Sequence, residues 1–287
     1  MESKTIIITG ANAGIGKETA LSLAKTGARI IMACRNMETG KICKDEIVNI
    51  TGNTNVVIKK IDLSSFQSIR SFAEDIKQHE KSLDILIHNA GVWLKRHLKT
   101  DDNLDMTMKT NHFGPFLLTH LLIDLLKKSS PSRIIILSSV SHFVGRLHFD
   151  ESQNYIPPCT GYLNYFNSKF ANICFANELA NRLKSFNITV NSVHPGLIKT
   201  EIWNSLPPPF SWPLILVSKL FFKTPQEGCQ TTVYLATSNE VENVSGKYFV
   251  NCKQSYVSKR TRSVAYNKKF WDISIQTVHL KETDPKI

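Results

Sequence analysis

The run Thr5-Ile6-Ile7-Ile8-Thr9, followed by Gly10-Ala11-Asn12-Ala13-Gly14-Ile15-Gly16 and then by helical periodicity from Lys17 to Lys25, constrains the fold most. A short β-branched apolar run is the kind of strand a parallel sheet buries on both faces. Glycines directly after it permit a tight turn and a close approach of backbone to a pyrophosphate, which would rest on the helix N-terminus. The spacing is T-G-x-x-x-G-x-G rather than G-x-G-x-x-G. As a bare string it could be an ordinary turn. Between this strand and this helix it predicts a dinucleotide site, with Gly10, Asn12, Gly14, Ile15 and Gly16 around the phosphates.

The pattern repeats. A second strand is expected from Ala28 to Cys34, an amphipathic helix from Glu38 to Asn49, and a strand from Asn55 to Ile61. A helix from Phe66 to His79 then leads to a strand from Leu83 to Ile87. A long helical stretch (Leu104 to Lys128), a strand (Arg133 to Leu137), a helix reaching about Lys184 and a strand (Ile188 to Val193) complete the series. Strands apolar on both faces, alternating with helices, imply an α/β fold: a doubly wound, Rossmann-like parallel sheet with helices on both faces. Ligand is then expected at the strands' C-terminal ends, where Asp62-Leu63 and Asn89 fall. Both polar residues could instead be simple turn formers. Asn111 and Gly114 are poor helix-interior residues, so a kink is expected at Asn111.

Arg35 closes the second strand, about 20 positions beyond the glycines, where the residue faces an adenosine ribose. An acid there would take the 2′-hydroxyl of NAD; a planar guanidinium suits a 2′-phosphate. NADP(H) is therefore expected over NAD(H), against the bland alternative of an exposed arginine at a strand end.

Length and composition narrow the function. With 287 residues, 42% hydrophobic and 21% charged, and no linker or internal repeat, the chain is expected to form a single domain. The cofactor-binding part would span about 1–195 and a substrate lid about 197–225. Apolar sequence begins by Thr5, so no secretory leader is expected. The six cysteines, at 34, 43, 159, 174, 229 and 252, show no C-x-x-C spacing and read as reduced thiols in a cytosol-facing protein. No metal site is expected. The net charge of +11 is not interleaved with aromatics at any nucleic-acid module spacing, so no nucleic-acid partner is expected. A phosphorylated cofactor or an anionic membrane surface fits the charge better. The basic run Lys253, Lys259, Arg260, Arg262, Lys268 and Lys269 is read as a solvated face in preference to a membrane contact.

Tyr165 and Lys169 are four residues apart in a helix-forming stretch, so both lie on one helical face. A phenol titrates near 10 and an ammonium near about 10.4 in model peptides. A cation held close to the phenol would lower its pKa and let it pass protons to a substrate oxygen. Tyr162 and Tyr155 are rival phenols; Tyr162, seven residues from Lys169, is expected to pack or to line a substrate channel.

In this combination the chain resembles the short-chain dehydrogenase/reductase family. The resemblance rests on Thr9 to Gly16, Asp62, Asn89-Ala90-Gly91, Asn111, Ser139, Tyr165 with Lys169, and Pro195-Gly196 with Thr200. Ala33-Cys34-Arg35-Asn36, Ser138 to His142, Gly145 to Phe149 and Gly246-Lys247-Tyr248-Phe249 are similar to the retinol dehydrogenase branch. That resemblance implies NADP(H)-dependent interconversion of retinol-type alcohols and aldehydes. It implies Tyr165 as general acid/base, Lys169 lowering its pKa and holding the nicotinamide ribose, and Ser139 bonding the reacting oxygen. Asn111 would anchor a water joining Lys169 to solvent. Leu63, Asn89, Asp62 and Thr200 join the glycine turn and Arg35 as cofactor-binding residues.

Two departures stand out. His88 replaces the family's usual asparagine and is expected to be a packed strand-end residue rather than a second base. The N-terminal membrane anchor common in the branch is not seen, so a soluble protein or a peripheral one on the cytosolic face of the endoplasmic reticulum is expected. The apolar segment Pro207 to Val217 is read first as a lid over a lipophilic substrate; an interfacial helix and plain packing are the alternatives. Other hydrophobic carbonyls (isoprenoid, steroid, medium-chain aldehyde) remain open as substrates, as does a non-catalytic NADP(H)-binding sensor. The helices around Asn111 and Tyr165 make a homodimer an expectation of the family.

Overall fold

The computed structural model describes residues 1–150, 152, 155–158, 160–196 and 223–287. Its centre is an eight-stranded sheet. The strands are β1 (Thr5–Thr9), β2 (Arg29–Cys34), β3 (Val56–Lys60), β4 (Ile85–His88), β5 (Ser132–Leu137), β8 (Ile188–His194), β9 (Lys247–Val250) and β10 (Lys253–Ser255). A separate short hairpin pairs β6 (His148–Phe149) with β7 (Tyr155–Ile156). The sheet order is β10-β9-β8-β5-β4-β1-β2-β3, parallel except for β10. Chain order reverses at β1, which pairs with β2 on one side and β4 on the other. A crevice opens at such a reversal because the helices leaving the two strands pack on opposite faces.

Alternation along β1 shows the layering. Ile7 packs into one core with the helices α3 (Phe66–His79), α5 (Gly114–Lys128), α6 (Gly161–Arg182) and α8 (Val264–Thr277). Ile6 and Ile8 point the other way, into a core with α1 (Gly14–Ala24), α2 (Met37–Thr51) and α7 (Pro225–Thr237). All three isoleucines are fully buried, at roughly 1.5–3 kcal/mol each relative to exposure. Helix ends obey local chemistry. The Asn36 side chain caps α2 by accepting from the backbones of Glu38 and Thr39, and Gly52 closes that helix at φ 70°. Thr224 and Glu227 form a reciprocal capping box on α7.

The sheet and both helical layers agree with expectation, and most boundaries move by only one or two residues. The long helix expected from Leu104 to Lys128 runs from Met106, with the kink expected at Asn111 present as a π turn. A short turn, α4 (Met106–Met108), opens into a π turn over Lys109–Phe113, and α5 follows. The cause is covalent: Pro115 has no N–H for the Asn111 carbonyl, which an α-helix would pair with residue 115. The lid segment 207–217 lies outside the described residues. The C-terminal elements α7, β9, β10 and α8 were not anticipated from the sequence.

Candidate active site

The site is built where β1, β4, β5 and α6 end or begin side by side. Gly10 leaves β1 at φ +66°, a region open to glycine at little cost, and its N–H bonds the Ala33 carbonyl at 2.8 Å. Gly16, in the first turn of α1, tolerates no side chain: a Cβ there would lie 2.2 Å from the Gly10 carbonyl oxygen and 2.4 Å from Asn89 Nδ2. No side chain caps α1 and its first turn carries no acid, so its leading N–H groups face the crevice with their partial positive charge. This is a cradle for an anion such as a pyrophosphate.

Asn89 holds that cradle shut. Its Nδ2 donates to the carbonyls of Thr9 (2.8 Å) and Gly10 (3.1 Å), while the Asn89 and Ala90 N–H groups both donate to Thr9 Oγ1 at 3.1 Å. The side chain expected to touch cofactor thus spends its amide on stitching β1 to β4. Asp62 is also engaged locally, accepting from the Ser64 N–H (2.9 Å) and hydroxyl (2.6 Å) in the turn that starts α3. Arg35 is exposed at the end of β2, and no acid among the described residues forms a salt bridge with it.

One cleft of about 660 Å³ brings these positions together. Gly10, Asn12, Gly14, Ile15, Gly16, Arg35, Asp62, Leu63, Asn89, Tyr165 and Lys169 all line it, joined by Gly91, Val92 and Pro195. Thr200 lies outside the described residues.

At the inner end, α6 presents Tyr165 and Lys169. Lys169 is 5% exposed, and its Nζ donates to the Leu137 carbonyl at 3.2 Å. Burial pulls its ammonium down to about 8 from an ordinary 10.5. Its Nζ stands 5.5 Å from the centre of the Tyr165 ring. The expected lowering of the phenol's pKa is not found. Burial pushes Tyr165 up to about 12, and only a side-chain hydrogen bond with Ser139 pulls the other way. Desolvation outweighs the distant cation, whose hydrogen bond goes to the backbone.

Ser139 sits at the end of β5, before a 3-10 turn over Val140–Phe143, and its hydroxyl also accepts from the Ser141 N–H. Ser138 Oγ donates to the Lys169 carbonyl at 2.7 Å, so β5 and α6 are pinned where Ser139 meets Tyr165. Asn111 occupies the π turn, 1% exposed. Its Oδ1 accepts from the Val92 N–H at 2.7 Å, and its Nδ2 donates to the Val92 carbonyl and to Ser168 Oγ, both at 2.9 Å. The Asn111 side chain thus clamps the loop after β4.

The rival phenols are engaged by other side chains. Tyr155 is bonded to Asn164 and Asn167, and burial raises its pKa against the pull of the Asn167 bond. Tyr162 is set edge-on to Trp93, with ring centres 5.9 Å apart. His88 is 3% exposed, bonds Thr119 Oγ1 at 2.8 Å through Nε2, and is driven down to about 3 by burial, so it is neutral packing. Trp93 itself was missed from the sequence: its ring stacks on Tyr165 at 4.7 Å with an interplanar angle of 10°. Its position two residues past Asn89-Ala90-Gly91 was the available signal. Among the described residues no group of His, Cys, Asp and Glu could hold a metal, and the cysteines there are free thiols. No helix among them is long and apolar enough to cross a membrane.

Comparison with known proteins agrees with this geometry. Residues 4–209 match the family model described as short chain dehydrogenase. Retinol dehydrogenase 11 of Mus musculus is 44% identical over 282 residues, covering 98% of this chain and 88% of the relative. Retinol dehydrogenase 14 of Homo sapiens is 40% identical, covering 96% of this chain and 86% of the relative. Among solved structures, a short-chain type dehydrogenase/reductase from Mycobacterium marinum superposes with a TM-score of 0.70 at 25% identity, covering 86% of this chain and 93% of that one.

Proposed function

The chain belongs to the short chain dehydrogenase family, and we propose that it interconverts a lipophilic, retinol-like alcohol and its aldehyde or ketone using NADP(H). The observation that carries this reading is the placement of Tyr165 and Lys169 in the cleft whose other end is the glycine cradle, with Ser139 hydrogen-bonded to the Tyr165 side chain.

The cradle suits a dinucleotide. Gly16 has no room for a Cβ because the turn is folded as tightly as a pyrophosphate's approach requires, and the α1 N–H groups meet no side-chain competitor. Arg35 would take the 2′-phosphate that distinguishes NADP(H). Tyr165 and Lys169 would hold the nicotinamide end. The bound cofactor supplies or accepts the hydride; the chain's own task is the proton.

In reduction, the Tyr165 hydroxyl donates its proton to the carbonyl oxygen as negative charge develops there. Ser139 offers a hydrogen bond to the same oxygen, a fixed dipole in a site screened from water. With a phenol near 12, Tyr165 holds its proton across the neutral range and is a donor there. Lys169, its Nζ 5.5 Å from the ring centre and its ammonium pulled down to about 8, is the neighbouring group able to return a proton toward the phenolate left behind. Oxidation of the alcohol runs the same transfers in reverse.

Apolar surroundings support a lipophilic substrate. Trp93, Tyr162 and Phe166 gather beside Tyr165. Val140 and Phe143, directly after Ser139, and Leu163, two residues before Tyr165, are exposed. The retinol dehydrogenases among its relatives favour a retinoid within that class. The test is a spectrophotometric screen of NADPH and NADH consumption with retinal, farnesal, a steroid ketone and medium-chain aldehydes. Turnover of retinal with NADPH is expected; no turnover of any hydrophobic carbonyl would contradict the proposal.

A further inference from the structure

We propose that Trp93 is a positioning residue for Tyr165: its indole sets the plane of the phenol ring and keeps water off one face, so that the hydroxyl meets the substrate oxygen in one orientation. The inference rests on the acid/base reading of Tyr165 and extends it.

The geometry is a closed circuit. The Trp93 and Tyr165 rings stack at 4.7 Å and 10°, an arrangement that fixes a ring about its own Cβ–Cγ axis. Trp93 is itself held. The preceding residue, Val92, has both its N–H and its carbonyl taken by the Asn111 side chain, at 2.7 and 2.9 Å. Asn111 then bonds Ser168 Oγ at 2.9 Å, and that hydroxyl donates to the Tyr165 carbonyl at 2.7 Å. The loop after β4 is thus tied to the backbone of Tyr165 through one path and to its ring through another. Tyr162 and Phe166 close around the indole at 5.9 and 6.0 Å. Asn111 gains a role from the same circuit: it aims the indole.

Orientation matters because proton transfer needs the donor within hydrogen-bond reach of the reacting oxygen, and misplacement of about 1 Å can cost 10²-fold in rate. The stacked face also explains part of the phenol's environment. Covering one side of the ring removes water that would solvate a phenolate, in line with the strong upward shift that burial gives Tyr165.

Two variants test the proposal. Trp93→Phe keeps a ring to stack; Trp93→Leu removes the ring and leaves part of the phenol's face open, and thermal melting verifies that each is folded. The Phe variant is expected to hold kcat with retinal within about threefold of the parent. The Leu variant is expected to lose about tenfold or more in kcat, to bind NADPH with unchanged affinity, and to show the alkaline limb of its pH–rate profile at lower pH, because water now reaches the phenol. A Leu variant with parental kcat, a Phe variant as slow as Leu, or an unmoved alkaline limb would overturn it. Failure of the acid/base reading shows separately, as turnover surviving in Tyr165→Phe.

Discussion

Lys169 Nζ stands 5.5 Å from the centre of the Tyr165 ring while hydrogen-bonding the Leu137 carbonyl. The two groups share a face of α6, as their spacing demands, yet burial drives their proton affinities apart: the phenol rises to about 12 and the ammonium falls to about 8. Both shifts disfavour charge on groups packed against the floor of the cleft.

The lysine's shift predicts a stability signature. Its pKa falls from 10.5 to about 8 on folding, so below pH 8 the fold bears the cost of an ammonium it has desolvated. That cost lifts as pH rises from about 8 to 10.5, where the unfolded chain still binds the proton and the folded one does not. Lys169→Met removes it. Chemical denaturation without cofactor is expected to show the Met variant more stable near neutral pH, by up to roughly 3 kcal/mol, with the gap closing toward pH 10.5. A gap independent of pH would contradict the assignment.

Buried histidines set the acid limit. His88 and His112 are pushed down to about 3, and His120 and His194 to about 4, from an ordinary 6.5, with burial the leading cause in each. All four are neutral in the fold, whereas the unfolded chain protonates them as pH drops through 6.5. Stability is therefore expected to fall below that pH, each histidine adding up to about 1.4 kcal/mol per pH unit. Urea titrations from pH 7.5 to about 5 measure the slope. His120→Gln should lessen it by about one proton; an unchanged slope would argue against neutral burial at that position.

Arg35 should govern cofactor choice. Arg35→Asp replaces a guanidinium suited to a phosphate with a carboxylate that repels one. The ratio of kcat/KM for NADPH to that for NADH is expected to fall by about tenfold or more. No movement of that ratio would mean that the end of β2 does not meet the 2′-position.

Gly16→Ala tests the cradle. The added methyl would lie 2.2 Å from a backbone oxygen that cannot withdraw without opening the turn. A loss of about 1–3 kcal/mol in stability is expected from such overpacking, together with NADPH affinity weakened by about tenfold or more. Calorimetric titration giving parental affinity would show that the turn does not contact the pyrophosphate.

Much of this was legible in the sequence, for identifiable reasons. The Ile6-Ile7-Ile8 run, buried on both faces, can hardly be anything but an interior strand, and the four-residue spacing of Tyr165 and Lys169 fixes their common face. What was not legible depends on tertiary proximity. The lowering of the Tyr165 pKa expected from a nearby cation ignored burial, which pushes the phenol up, and the Leu137 carbonyl, a backbone acceptor that captures the ammonium. The clamp that the Asn111 side chain places on Val92, 19 residues away in sequence, is a contact of this kind. Trp93 lies in irregular backbone where no periodicity marks it. The strands β9 and β10, four and three residues long, are too short to declare themselves.

The proton-transfer assignment is tested most directly by single-turnover reduction of retinal with Tyr165→Phe, measured beside NADPH binding to the same protein. The account requires a rate at least about 10²-fold below the parent with cofactor affinity unchanged, since the hydroxyl is lost and the cradle is untouched. A variant that binds NADPH and keeps most of its rate would contradict it.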